Sequence, residues 1–323
     1  MSVPYTDKDL KIKNQRFASR APHLALIIVQ VLFATWPIVG KIALRSLPPT
    51  AIVAIRVIGA ALAFLILGTV VQKRGRIKKS DWPLLILSSL LGVVLNQWLF
   101  VKGLSLTTVI NATLLGTTIP IFTLLVSILL GNDRASLRRL LGIGLAMVGI
   151  LYLIGPDRAA FTQSSRIGDL LIISNSVCYG AYLAISKDLV TRYNALTVIT
   201  WIFIVACIPT APIGVTSISA VSLRNVPSIV WLAILYIILL PTVGAYYLNS
   251  WALARVPPST VAVYIYLQPL IAFALAPLLL GEKLSWQIIM ASLLVFSGVV
   301  TVTRRGRSRA VQEVSEHPEA FGH

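Results

Sequence analysis

The chain has 323 residues, 57% of them hydrophobic and 12% charged, with 28 Lys and Arg against 11 Asp and Glu for a formal charge of +17. Such an apolar share excludes a soluble globular domain and marks a polytopic membrane protein. The excess positive charge does not indicate nucleic acid, because the basic residues stand in short clusters at the ends of apolar stretches, as membrane topology requires. Cys178 and Cys207 both fall inside apolar stretches and give neither a metal-ligand spacing nor a disulfide framework. No metal and no cofactor is therefore expected. The polar, basic first 21 residues and the long apolar stretch after them do not read as a cleavable signal peptide.

Taken in order, the hydropathy predicts ten apolar spans: Pro22–Leu44, Thr50–Val71, Trp82–Val101, Thr107–Leu130, Leu137–Gly155, Gly168–Val190, Leu196–Val215, Ser228–Ala252, Ser259–Leu280 and Trp286–Thr303. Short connections make consecutive helices antiparallel neighbours. The expected fold is all-α and polytopic, with a basic tail over 1–21, a first five-helix repeat over 22–155, a connecting loop over 156–167, a second repeat over 168–303 and a tail over 304–323.

The repeat is read from two matching stretches. Pro257 to Lys283 carries Pro269 and Pro277 among apolar residues, and ends on Gly281-Glu282-Lys283. Set back by the interval between Pro269 and Pro120, Glu282 falls on Asp133, Lys283 on Arg134 and Gly298 on Gly149. Each copy has a hydroxyl-rich start, a proline in mid-helix, an apolar exit, an acid followed by a base, and a further apolar helix. An interior proline releases a backbone carbonyl that lipid cannot satisfy, so these helices should lie against protein or a wet cavity.

Alternate loops and tails hold twenty Lys and Arg on one side against seven on the other, which places both termini in the cytoplasm. With five spans per half, the second half enters from the opposite side. That is an inverted-topology repeat, an arrangement that creates a midplane site between halves.

These features resemble the EamA-like family of the drug/metabolite transporter superfamily, over roughly Leu24 to Val302. The resemblance rests on Trp36 late in the first span and Lys41 at its end, Arg56 early in the second, Pro120 and Pro269 mid-way along the fourth and ninth, Gly281-Glu282 before the last span and Gly298 within it. Two departures stand out: Asn132-Asp133 replaces the commoner Gly-Glu, and Trp36-Pro37 replaces the commoner Trp-Gly, which should loosen the first helix near its outer end. The resemblance implies a transporter, most often an exporter of amino acids or other small metabolites across the inner membrane.

Polar side chains within the spans are candidates for a cavity. Asn175, Tyr179 and Tyr182 share a face of the sixth span, Tyr264 and Gln268 a face of the ninth, and Asn111 belongs to a polar stripe on the fourth; Gln97 and Tyr246 come from the third and eighth. Any one of these is equally explained as hydrogen-bonding glue between helices, but five helices each offering a polar face favour a cavity. Trp36 reads either as a gate or as an interface anchor, the commoner role of a Trp near a helix end. Arg56, the one charge well inside a span, either meets an anion or latches the halves, or else snorkels to the nearby outer surface or bonds helix-end carbonyls; the latter pair is the preferred reading.

No Asp or Glu stands in the middle of a span, Asp169 at the start of the sixth being placed where an acid favours the helix dipole, and no phosphate-binding loop is present, which points to a facilitator or antiporter and away from ATP. No nucleophile–base set supports an enzyme. The expected partners are a small-molecule substrate and membrane lipids, with no nucleic acid; the oligomeric state is left open, and a monomer is compatible with the sequence. The alternatives are a nucleotide-sugar or sugar-phosphate antiporter, which should show more cavity-facing basic residues than Arg56, Lys41 and Lys102, and a membrane scaffold that transports nothing.

Overall fold

A computed structural model of the chain describes residues 7–70, 76–130 and 163–303, with eight further positions between 137 and 152. Among the described residues every regular element is helical. The helices are α1 (Asp7–Ala43), α2 (Pro49–Val70), α3 (Lys79–Leu106), α4 (Val109–Leu129), α5 (Gln163–Arg192), α6 (Ala195–Ser219), α7 (Ser228–Leu253), α8 (Pro258–Leu280) and α9 (Trp286–Thr303). Eight of these are long and apolar enough to cross a bilayer, and α9 contains a shorter apolar helix. The chain is a multi-pass membrane protein. The fifth expected span, Leu137–Gly155, the 156–167 loop and the C-terminal tail lie wholly or largely outside the described residues.

The apolar pattern sorts lipid from core. On α2, Leu62, Ile66 and Val70 recur every fourth residue and are exposed, while Val57, Ala60, Ala61 and Phe64 are buried on the other side. Glycines set the closest approaches. Gly103 on α3 meets Gly168 on α5, where a Cβ on either would sit 2.9 Å from the other's carbonyl oxygen. Further along α5, a Cβ on Gly180 would lie 2.8 Å from the Thr123 backbone nitrogen of α4. These contacts wedge α5 against α3 and α4, while α2 lies along α6 and α1 packs on α7 and α8.

Four helices are interrupted, in two matching pairs. Helix α3 contains a π-helical stretch, Leu90–Leu95, and α7 contains one at Ile238–Gly244. Helix α4 breaks between Gly116 and Ile119, and α8 tightens to a 3-10 turn at Tyr264–Tyr266. In both of the latter the proline expected in mid-helix stands near the start of the second helical segment: Pro120 in Ile119–Leu129 and Pro269 in Leu267–Leu280. At the α4 break Thr117 and Thr118 each turn their hydroxyls back, to the carbonyls of Leu114 at 2.6 Å and Leu115 at 2.8 Å. The same two carbonyls also accept the backbone N–H groups of Thr117 and Thr118, each at 3.1 Å, so the hydroxyls are second donors to a tightened turn. By contrast α1 runs on through Pro37 as one helix.

Candidate functional site

The interruptions surround a cavity of about 490 Å³, part of it open to solvent, lined from seven helices. One wall is aromatic. The Trp36 ring of α1 stacks on Phe100 of α3, with centroids 6.0 Å apart and an interplanar angle of 29°, and Phe33 and Tyr179 complete it. The opposite chemistry comes from Asn96, Asn175, Tyr246, Gln268 and Arg56, with Ile119 and Ile265 closing the remainder.

Each polar group is held by a second one. Asn175 Nδ2 donates to the Asn96 carbonyl at 2.6 Å. The Tyr246 hydroxyl reaches the Gly92 carbonyl at 3.2 Å and Asn96 Oδ1 at 3.3 Å. Asn249 Nδ2 donates to the Tyr179 hydroxyl at 3.2 Å. Gln268 Nε2 donates to Gln30 Oε1 at 2.6 Å, joining α8 to α1. Gly92 belongs to the π stretch of α3 and is covered by the Tyr182 ring, which a Cβ there would strike. Its lack of a side chain lets Tyr182 and Tyr246 approach the α3 backbone.

Arg56 overturns its preferred reading. It is 3% exposed and does not snorkel. Its Nε donates to Thr242 Oγ1 at 2.5 Å, within the π stretch of α7, and its guanidinium carbon lies 4.2 Å from the centroid of the Trp36 ring. Thr242 in turn donates to the Ile237 carbonyl, five residues back, at 2.7 Å. The hydroxyl is thus oriented with its lone pairs free for arginine. Trp36, 5% exposed, is likewise a cavity wall and not an interface anchor.

Of the nine candidate residues, six line this cavity: Trp36, Arg56, Asn175, Tyr179, Tyr246 and Gln268. Three do not. Asn111 instead donates to Asp169 Oδ2 at 3.4 Å, beside the Thr107 bond to the other oxygen of that carboxylate. Tyr264 shares a 2.8 Å hydrogen bond with His23 near the first residues of its span. Gln97 is buried but does not reach the cavity wall. The acid Asp169, expected only to favour a helix dipole, is fully buried. The residues missed were the apolar lining and, behind it, Gln30. The last stands alone among apolar residues from Leu24 to Ala34, and that isolation was a usable signal.

A second polar cluster gathers at the α3–α4 turn. Lys41 Nζ donates to the Thr107 carbonyl at 2.6 Å. Glu282 accepts from the backbone N–H of Val109 at 2.8 Å and Ile110 at 3.0 Å, and Thr108 accepts from that of Asn111 at 3.1 Å. The first three N–H groups of α4 are thereby satisfied. Among the described residues no cluster of three metal-ligating side chains occurs.

Comparison with known proteins places this architecture. The profile of the EamA-like transporter family matches residues 21–155 and again residues 166–304. The chain belongs to that family and is a transporter. An uncharacterized transporter of Archaeoglobus fulgidus is 29% identical over 88% of this chain and 97% of its own length. The uncharacterized transporter YetK of Bacillus subtilis is 24% identical over 97% and 96%. A protein of Streptantibioticus cattleyicolor named a probable terminal-alkyne amino-acid exporter is 25% identical over 72% of this chain and 78% of its own. A solved crystal structure, 19% identical, superposes with a TM-score of 0.64 over 88% of this chain and 96% of that one, a likeness of fold.

Proposed function

We propose that the cavity is the substrate site of a secondary transporter or facilitator that moves amino acids or related small metabolites by alternating access. The observation that carries the reading is the convergence of six of the candidate polar and aromatic side chains, from five spans, on one cavity. A scaffold with no cargo would have no need to keep an arginine and two asparagines at membrane depth, where each is costly. The name of the Streptantibioticus relative supports the amino-acid class. A nucleotide-sugar or sugar-phosphate cargo is less well served, because Arg56 is the one basic residue in the lining.

The proposal includes ten membrane helices in two inverted repeats of five, over 22–155 and 168–303, with both termini in the cytoplasm of an inner-membrane protein. The twin π stretches and twin proline breaks support the repeat, and the Lys/Arg bias supports the orientation. No chemistry is assigned to the site, which is read as a binding and passage site and not as an enzyme's.

The test is uptake of pooled labelled amino acids into proteoliposomes, with and without an imposed pH gradient. Uptake is expected with the wild type and strongly reduced with Tyr179→Ala and with Gln268→Ala, while both variants insert and purify normally. Unchanged uptake in both would remove the cavity from the transport path.

A further inference from the structure

Arg56 has five N–H donors, of which the described residues engage one, the Nε–H on Thr242. Among the described residues no acceptor lies within hydrogen-bond distance of either terminal nitrogen, and no carboxylate pairs with the guanidinium; the ion pair seen among the described residues is elsewhere, between Arg192 and Asp81. The lining contains no Asp, Glu, Lys or His. The charge is not repeated in the other half: at the interval separating Pro120 from Pro269, the position matching Arg56 is Val205. The cavity therefore carries one uncompensated positive charge on a buried side chain, its planar fork unused and its face seated on Trp36.

We infer that the site selects organic monoanions: small metabolites carrying one carboxylate and no free ammonium, such as N-acylated amino acids, in preference to zwitterionic amino acids. This deepens the cavity reading of the preceding section and rests on it. A carboxylate meets the two terminal nitrogens of Arg56 side by side, the bidentate geometry that guanidinium favours. Charge balance then separates the cargoes. A monoanion brings the occupied site to neutrality, which lowers the cost of holding Arg56 away from bulk water. A zwitterion leaves the positive charge in place and adds an ammonium that finds no carboxylate in the lining. The stacked face of Trp36 is already used by Arg56, so a second cation cannot take it. The remaining wall, Phe33, Phe100 and Ile265, suits an apolar body, and Gln268 and Asn175 suit an amide.

The experiment measures ligand-induced thermal stabilisation of the purified wild-type protein by three matched sets, built on the phenylalanine, leucine and glycine skeletons. Each set contains the N-acetyl amino acid (monoanion), the free amino acid (zwitterion) and the amino alcohol (cation). The monoanion is expected to stabilise at concentrations about tenfold lower than the zwitterion in at least one set, with no effect from the cation. Arg56→Gln should abolish the difference, and Arg56→Lys should restore part of it, keeping the charge without the fork. Should Arg56→Gln fail to fold, the order within the wild type still decides. A zwitterion or cation that binds as well as its monoanion, or an order that survives Arg56→Gln, overturns the inference and leaves the cavity standing. No stabilisation from any member of any set overturns the cavity reading along with it.

Discussion

At Gly281 the backbone turns left-handed, with φ at 69°, directly after α8 ends. A side chain at that angle costs about 1–2 kcal/mol, and glycine avoids it. The turn brings Glu282 back to accept both N–H groups at the start of α4. The Gly-Glu pair is thus one device: a reversal and the cap it delivers. Glu282→Ala should cost roughly 1 kcal/mol, and Gly281→Val a similar amount, each read as a fall in thermal midpoint in detergent; the double variant should lose less than the sum, since both break the same contact. At the cavity, Gln268→Ala leaves the buried Gln30 amide without its partner and should cost about 1–3 kcal/mol in stability, whereas Gln268→Ala with Gln30→Leu should recover part of it. How much of this was legible depended on residue type. Asn175, Tyr179 and Gln268 announced themselves as polar groups in apolar spans. Phe33, Phe100 and Ile265 could not, because an apolar residue facing a cavity has the same periodicity as one facing lipid. Arg56 was misjudged because its distance from the helix start permits snorkelling; the Trp36 ring and Thr242 hydroxyl that hold it inward come from other helices, Thr242 from 186 residues away on α7.

Helices α3 and α7 show what hydropathy reads well and what it misses. Their apolar lengths were evident, and the structure extends α3 to Lys79–Leu106 from the expected Trp82–Val101. The π stretches were not evident. Pro241 lies within that of α7 and offers a partial cause, but α3 has no proline there. Its stretch is stabilised from outside, by the Tyr182 ring over Gly92 and the Tyr246 hydroxyl on the Gly92 carbonyl. A π stretch carries one residue more than the α-helix it replaces, so it re-aims every side chain beyond it. Inserting a single alanine directly after Leu95, beyond the stretch that absorbs the extra residue, should rotate Asn96 and Phe100 by about 100° away from the cavity. The expected result is a protein that inserts and purifies but does not transport, with the backbone carbonyl partner of Asn175 displaced. Transport that survives the insertion would show that the aim of Asn96 and Phe100 has no part in shaping the site.

Across the whole molecule the two halves repeat a lysine contact that ties a helix end to the turn ahead of a broken helix. Lys41, ending α1, donates to the Thr107 carbonyl before α4. Lys187, late in α5, donates to the carbonyls of Leu253 at 2.6 Å and Val256 at 3.1 Å, before α8. On the topology proposed above, the first lies at the outer face and the second at the inner face. Alternating access requires that such contacts at one face open while those at the other hold. A change that weakens one latch should therefore shift the population toward opening on that side. The measurement uses a variant with Cys178 and Cys207 replaced by serine and a single cysteine in place of Phe100 in the cavity wall, labelled in intact cells by a membrane-impermeant thiol reagent. Lys41→Met should raise the labelling rate severalfold and Lys187→Met should lower it. Equal rates in both would mean that the paired lysines are packing contacts alone. The reverse order would mean that the face carrying Lys41 looks into the cytoplasm, and would invert the orientation read from the basic loops.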